Sequence, residues 1–236
     1  MVSILVDNGA RVGGIVEVNC ETDFVARTGD FSSFVSALTR QVMQTPHRPS
    51  VAQMLEEPFI EDPSVTVGER ITQLVAGLGE NIVLRRFSRI ERDQSGLIEG
   101  YVHPGNRIGV LVYALVGDEG VAKSPAFADL VHDLALQVAA GAPRFVAPAD
   151  VPKPTREAEE DKYRAELAEA NKPDHIKDRI ISGKLDKWYE EVCLLRQPFV
   201  KDSSVTIEQL LAHKSKELGV APTVEQFVRY ELGTSE

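Results

Sequence analysis

Apolar and polar positions along the chain follow a pattern that occurs twice. Val6-Asp7-Asn8-Gly9-Ala10-Arg11-Val12-Gly13 matches Val102-His103-Pro104-Gly105-Asn106-Arg107-Ile108-Gly109 at a shift of 96 positions, and the shift continues without a gap into the next segment. There Phe31, Phe34, Val35, Leu38 and Val42 correspond to Phe127, Leu130, Val131, Leu134 and Val138. Both sets follow the spacing i, i+3, i+4, i+7, i+11, so each predicts a helix with one apolar face. Farther on, Pro58 to Val67 matches Pro198 to Ile207 at a shift of 140, and Leu78-Gly79 and Phe87 keep that shift with Leu218-Gly219 and Phe227. The second copy therefore contains an insertion of 44 residues, the difference between the two shifts, somewhere between Val146 and Leu195.

Each copy opens with two short β-branched runs around a glycine turn, Asn8-Gly9 in the first and Pro104-Gly105 in the second, which predicts antiparallel strands. A helix follows, with Thr28 or Ser124 as N-cap and Pro125 at the first helical position of the second copy. A second helix begins at Thr66 with Glu69 three residues on, and at Thr206 with Gln209, two capping boxes in register that Gly79 and Gly219 bring to a stop. A strand closes each unit, Ile82 to Ile90 and Val224 to Tyr230. The expected fold class is α+β: two related ββααβ subdomains with small antiparallel sheets, residues 1–93 and 94–236. The insertion, about 150–192, predicts a helical, coiled-coil-like hairpin in the second subdomain, Thr155 to Ala170 and Asp174 to Leu194 around an Asn171-Lys172-Pro173 turn. Ile176, Ile180, Leu185, Trp188 and Val192 are available to pack there. The first hairpin helix is nearly all polar, so the hairpin is expected to project, either as a solvated decoration or as a partner surface.

Charge narrows the choice of partner. Acidic residues outnumber basic ones, 36 to 26, for a formal net charge of −10, whereas a protein that neutralises phosphates clusters Lys and Arg, so no direct nucleic-acid ligand is expected. No apolar run approaches the roughly 20 residues that span a bilayer, so no membrane partner is expected either, and the location expected is cytoplasmic or an organellar matrix or stroma. Cys20 and Cys193 lack C-x-x-C spacing and are expected as reduced thiols. Phosphate-cradling, dinucleotide-binding, zinc-hydrolase and serine-hydrolase motifs do not occur, and His47, His103, His132, His175 and His213 are scattered without metal-ligand spacing. The Gly13-Gly14 pair fits strand packing better than phosphate binding. No enzyme, metal or cofactor is expected.

One segment breaks the repeat. Glu17-Val18-Asn19-Cys20-Glu21-Thr22-Asp23-Phe24-Val25-Ala26-Arg27 leads from strand to helix, and in its counterpart at the shift of 96 Gly120 replaces Phe24. The stretch Glu17 to Val25, with its Thr-Asp-Phe-Val motif, resembles the signature of the translation elongation factor Ts family. Gly79-Glu80-Asn81-Ile82 through Arg85-Arg86 resembles the family in the same order. So do Tyr101-Val102-His103 with Arg107 to Val112, and Glu191 to Leu195 running into Gln197-Pro198-Phe199-Val200. The matches span nearly the whole chain. Family members usually begin with a small three-helix domain, whereas this sequence opens directly in the first strand, so a weaker hold on the partner is expected.

The resemblance implies a core of two related subdomains with a hairpin in the second, and a guanine-nucleotide exchange factor that binds elongation factor Tu in its GDP-bound and nucleotide-free states. Phe24 would be a wedge that disturbs the partner's magnesium site, Asp23 its polar neighbour, and Thr22 and Val25 the flanks that hold the loop. Leu78, Gly79, His103, Val200 and Lys201 fall where family members touch the partner. Read from residue type alone, Phe24 could instead pack in its own core, although Gly120 in the second copy argues against that. His103 could be an ordinary strand histidine, and Leu78-Gly79 a helix C-cap. His132 stands where the family commonly has lysine. The alternative function is a non-exchanging binding module for elongation factor Tu or the ribosome, and a homodimer is compatible with the sequence.

Overall fold

Two strands carry the longest apolar runs, and each is buried on both faces. In the computed structural model, which describes residues 1–46, 50–168 and 173–234, β2 (Val12–Asn19) lies between β1 (Val2–Val6) and β5 (Val83–Glu91). In the same way β7 (Ile108–Leu115) lies between β6 (Gly96–Val102) and β10 (Thr223–Glu231), and all four pairings are antiparallel. First, second and last strand of each sequence copy thus take the same places in each sheet, so the duplication is present in the topology. The fold is α+β.

The chain forms two compact units, Met1–Ala139 with Pro222–Glu236, and Ala140–Ala221. Both three-stranded sheets belong to the first unit and pack on one another through Val2, Ile15 and Ile90 from one and Ile98, Leu111, Tyr113 and Tyr230 from the other. Their approach requires glycine. A Cβ on Gly13 would stand 3.0 Å from Ile98 Cγ2 and Leu111 Cδ2, and one on its counterpart Gly109 would overlap Val2 Cγ1. Gly14 points the other way, where a Cβ would come within 3.1 Å of Met43 N and Thr39 O in the backbone of α2 (Gly29–Gln44). The glycine pair therefore lets one strand be approached by a sheet on one side and a helix on the other.

Beneath that helix, Phe31, Phe34, Val35 and Leu38 fill a core with Val16, Val18 and Leu84 from the sheet and Leu74 from α4 (Val67–Leu78). The predicted caps are in place. Thr28 Oγ1 accepts from Phe31 N and Ser124 Oγ from Phe127 N, the latter opening α6 (Pro125–Gly141). Thr66 and Thr206 form reciprocal capping boxes with Glu69 and Gln209 at the starts of α4 and α9 (Ile207–Leu218). The repeat extends to single hydrogen bonds: Arg89 Nε donates to Met43 O at 2.8 Å, and its counterpart Arg229 donates to Ala139 O at 3.3 Å, each tying a closing strand to a helix C-terminus.

Several short elements escaped the periodicity. They are one-turn helices α1 (Asp23–Ala26) and α5 (Glu119–Ala122), helix α3 (Val51–Glu56), and the hairpins β3–β4 (Pro58–Phe59, Asp62–Thr66) and β8–β9 (Pro198–Phe199, Asp202–Thr206). In the second unit, α7 (Lys153–Glu166) and α8 (Asp174–Val192) pair as the expected hairpin, with Lys184 bound to Glu166. Of its predicted turn, Asn171 and Lys172 lie outside the described residues, as does His47. The packing stripe on α8 is Ile181, Leu185, Trp188 and Val192 rather than one through Ile176 and Ile180, which are only half-buried. Ile181 fits the spacing i, i+4, i+7, i+11 with the other three, which Ile180 does not.

Glu17 on β2 is 1% exposed and accepts from Arg86 Nε at 2.7 Å. The same guanidinium lies over the Tyr230 ring at 4.4 Å and donates to Glu231 O at 3.2 Å, so it joins the two sheets. Arg86→Met should cost about 3–5 kcal/mol, because it leaves a buried carboxylate unpaired, and Glu17→Leu added to it should recover most of the loss. Urea unfolding midpoints of the single and double variants measure both. Burial pushes the Cys193 thiol up to about 11, and the half-buried Cys20 thiol is also raised by burial, to a smaller degree. Iodoacetamide at pH 8 should therefore label Cys20 first and Cys193 only on unfolding, as peptide mass mapping would read out.

Candidate partner-binding site

Strand β2 runs into the segment that breaks the repeat, and its register explains what holds that segment. Glu17 pairs with Arg86, a one-residue bulge follows, and the ladder resumes with Val18 opposite Leu84 and Asn19 opposite Val83. Extending that register three residues past the strand sets Thr22 opposite Glu80. Without the bulge Thr22 would be out of step with that carboxylate.

Glu80 then takes over from the ladder. Its Oε2 accepts from Thr22 N at 2.9 Å and from Glu21 N at 3.1 Å, and its Oε1 accepts from the Thr22 hydroxyl. In return Glu21 Oε1 accepts from Asn81 N at 3.4 Å. Glu80 can stand there because α4 stops one residue earlier at Gly79, whose φ of 75° is the left-handed conformation that ends helices. Thr22, having donated its hydroxyl proton to Glu80, presents a lone pair to Val25 N at 3.3 Å and so caps α1. Thr28 Oγ1 closes the far end by donating to Val25 O at 2.8 Å.

The turn thus held has two faces. Val25 is 7% exposed and sits in the core beneath, while Phe24, one residue earlier, is 87% exposed. Asp23 is exposed at the first helical position, where its charge suits the N-terminal amides. Asp23 and Ala26 line an open cleft with Arg107 and Leu232, and Gly105 and Asn106 form part of its other wall. Phe24 lines neither part of it.

In the second copy the equivalent turn, α5, folds without an aromatic and without a glutamate clamp. Asp118 Oδ1 accepts from Val121 N at 2.8 Å, and Arg92 pairs with Glu119 at 3.4 Å. That arginine holds the Glu119 carboxyl below the usual carboxylate range. The backbone turn belongs to the common scaffold, and the phenyl is an addition to it.

The other sequence-designated residues divide. Leu78 is half-buried against the first core, and Gly79 is the C-cap, so both are brought to the Phe24 turn through Glu80. His103, exposed at the end of β6, has its Nδ1 3.0 Å from the Tyr101 hydroxyl, and it begins the turn whose Gly105 to Arg107 face the cleft. Tyr101 also stands edge-on to His132, whose Nδ1 is 3.0 Å from Glu99 Oε1. Val200, 52% exposed, and Lys201 form the tip of the β8–β9 hairpin in the second unit. Glu80 was not singled out from sequence, although it lies in the stretch Gly79-Glu80-Asn81-Ile82 and its counterpart at the shift of 140 is Val220.

Among the described residues no group of three or more His, Cys, Asp or Glu side chains could hold a metal ion. What the arrangement supplies is a solvent-facing aromatic on a turn held by hydrogen bonds at both ends.

Comparison with known proteins bears on its identity. The family model described as Elongation factor TS matches residues 21–234. Proteins named elongation factor Ts from Clostridium kluyveri, Trichlorobacter lovleyi and Clostridium perfringens are 39%, 37% and 40% identical over 233 residues, covering 99% of this chain and 74% of each relative. The family model takes in the clamped turn and the inserted hairpin, the matches to the relatives extend over nearly the whole chain, and the chain belongs to the elongation factor Ts family of translation elongation factors.

Proposed function

We propose that the chain binds elongation factor Tu and accelerates release of its GDP, with Phe24 entering the partner's nucleotide-binding domain and disturbing its magnesium site. The observation that carries this reading is the position of that ring: 87% exposed, on a turn whose neighbour Val25 is buried and whose backbone is pinned at both ends. Burying a phenyl stabilises a protein by roughly 1.5–3 kcal/mol, and here that gain is left for another molecule to collect. An aromatic presents a large contact area on two rotatable bonds, so little entropy is lost when it enters a pocket.

Exchange requires no covalent step. The factor and GDP each weaken the other's hold on the shared partner, by equal factors at equilibrium, and each tenfold weakening takes about 1.4 kcal/mol of differential contact energy. A wedge supplies such energy when its pocket exists only in the state that has let magnesium go. Leu78, Gly79, His103, Val200 and Lys201 would add contacts that keep the intermediate together. The acidic balance of the chain, a net charge of −10, suits a protein partner with basic patches rather than nucleic acid. Among the described residues no helix is long and apolar enough to cross a membrane. The reading places the activity in a bacterial cytoplasm or an organellar matrix.

Phe24→Ala should leave the urea midpoint of the chain unchanged and slow stimulated GDP release about 30-fold or more, the effect of losing a contact worth at least about 2 kcal/mol. Stopped-flow release of a fluorescent GDP analogue from elongation factor Tu measures it. An unchanged rate removes Phe24 from the mechanism, and normal capture of elongation factor Tu with no acceleration by the unaltered chain favours a binding module that does not exchange nucleotide.

A further inference from the structure

We propose that Glu80 is a positioning residue for Phe24, the group whose carboxylate fixes the turn so that the ring is presented in one orientation; this rests on the proposed exchange function. Three donors converge on Glu80: the backbone amides of Glu21 and Thr22, at 3.1 and 2.9 Å, and the Thr22 hydroxyl. Charge-assisted bonds of this kind are about twice as strong as neutral ones. They also act in series. The hydroxyl proton committed to Glu80 orients the oxygen lone pair that caps Val25 N, and Val25 is adjacent to Phe24. A break at Glu80 therefore loosens the cap as well as the two amides.

The duplication serves as an internal control. Among the places where the two copies differ are Phe24 against Gly120, Thr22 against Asp118 and Glu80 against Val220. The copy without the aromatic turn residue has no carboxylate at the equivalent position, yet its one-turn helix still forms, capped by Asp118. Folding of such a turn does not demand a glutamate there, whereas the aromatic and the clamp occur in the same copy. Neither Glu80 nor Thr22 need touch the partner for this to matter, because a ring on a wobbling turn meets its pocket in many orientations and gives back contact energy as lost entropy.

The test is a double-mutant cycle on the full chain with Glu80→Val, Phe24→Ala and both together, each read for maximal GDP-release rate from elongation factor Tu and for its urea midpoint. Glu80→Val should lower the rate about tenfold, and in the Phe24→Ala background it should change nothing further, because it acts only through the ring. A 19F spectrum of the chain with 4-fluorophenylalanine at position 24 should broaden or shift on Glu80→Val. Thr22→Val should reproduce both effects and Thr22→Ser should restore them, which keeps the question decidable if Glu80→Val does not fold. Additive losses, or a Glu80→Val rate equal to that of the unaltered chain while Phe24→Ala is slow, overturn the positioning role and leave the wedge reading standing. A Phe24→Ala rate equal to that of the unaltered chain overturns both.

Discussion

The structure of the first unit depends on how closely two antiparallel sheets can approach. Their central strands β2 and β7 are buried on both faces, and the contact works because Gly13 and Gly109, equivalent positions in the repeat, offer no Cβ to Ile98, Leu111 and Val2 opposite. With one face of β2 committed to the other sheet, the helix α2 must settle on the remaining face, which it does directly over Gly14. Arg86 then fastens the sheets, its charge answered by Glu17 and its plane laid on Tyr230. A rigid β2 is the outcome. Phe24 follows a few residues beyond the end of that strand, so the backbone leading to it is set by packing farther back at Gly13, Gly14 and Glu17.

Duplication gives a way to separate what the scaffold requires from what was added to it. Capping boxes at Thr66 and Thr206, left-handed glycines at 79 and 219, and the arginine bonds from Arg89 and Arg229 recur because each solves the same problem of ending a helix or starting one. Phe24 and Glu80 do not recur. A residue present once in a duplicated fold, exposed, and supported by an equally singular neighbour has no part in the shared architecture, so its explanation lies outside the chain.

Much of this was legible from the sequence, because the strongest signals were periodic or tied to one backbone requirement. The helical stripes from Phe31 and Phe127, the caps at Thr28 and Ser124 and the stop at Gly79 all rest on local geometry, which a single sequence records. The one-turn helices and two-residue strands were not legible, since four residues span barely one helical period and two cannot show alternation. Ile181 was passed over in favour of Ile180 because adjacent apolar residues leave the phase of a stripe undecided until a partner helix selects one. The exposure of Phe24 could be argued only from the contrast with Gly120, and Glu80 could not be placed at all. Its role comes from a bulge between Glu17 and Val18 that shifts the register by one residue, and nothing in the local sequence announces that bulge.

A protein that exposes an aromatic ring faces two opposing demands. The ring must remain out of its own core, where burial would stabilise it, yet it must not be so loose that entering a partner's pocket costs more order than the contact returns. The turn at Thr22 to Arg27 meets both by dividing them between neighbours: Val25 takes the core site and anchors the turn from below, while Glu80 and Thr28 hold its backbone from either end. A flexible loop with the same Phe would satisfy only the first demand. The exposed ring thus sits on a backbone held by the hydrogen bonds of Glu80, Thr22 and Thr28 on either side of it.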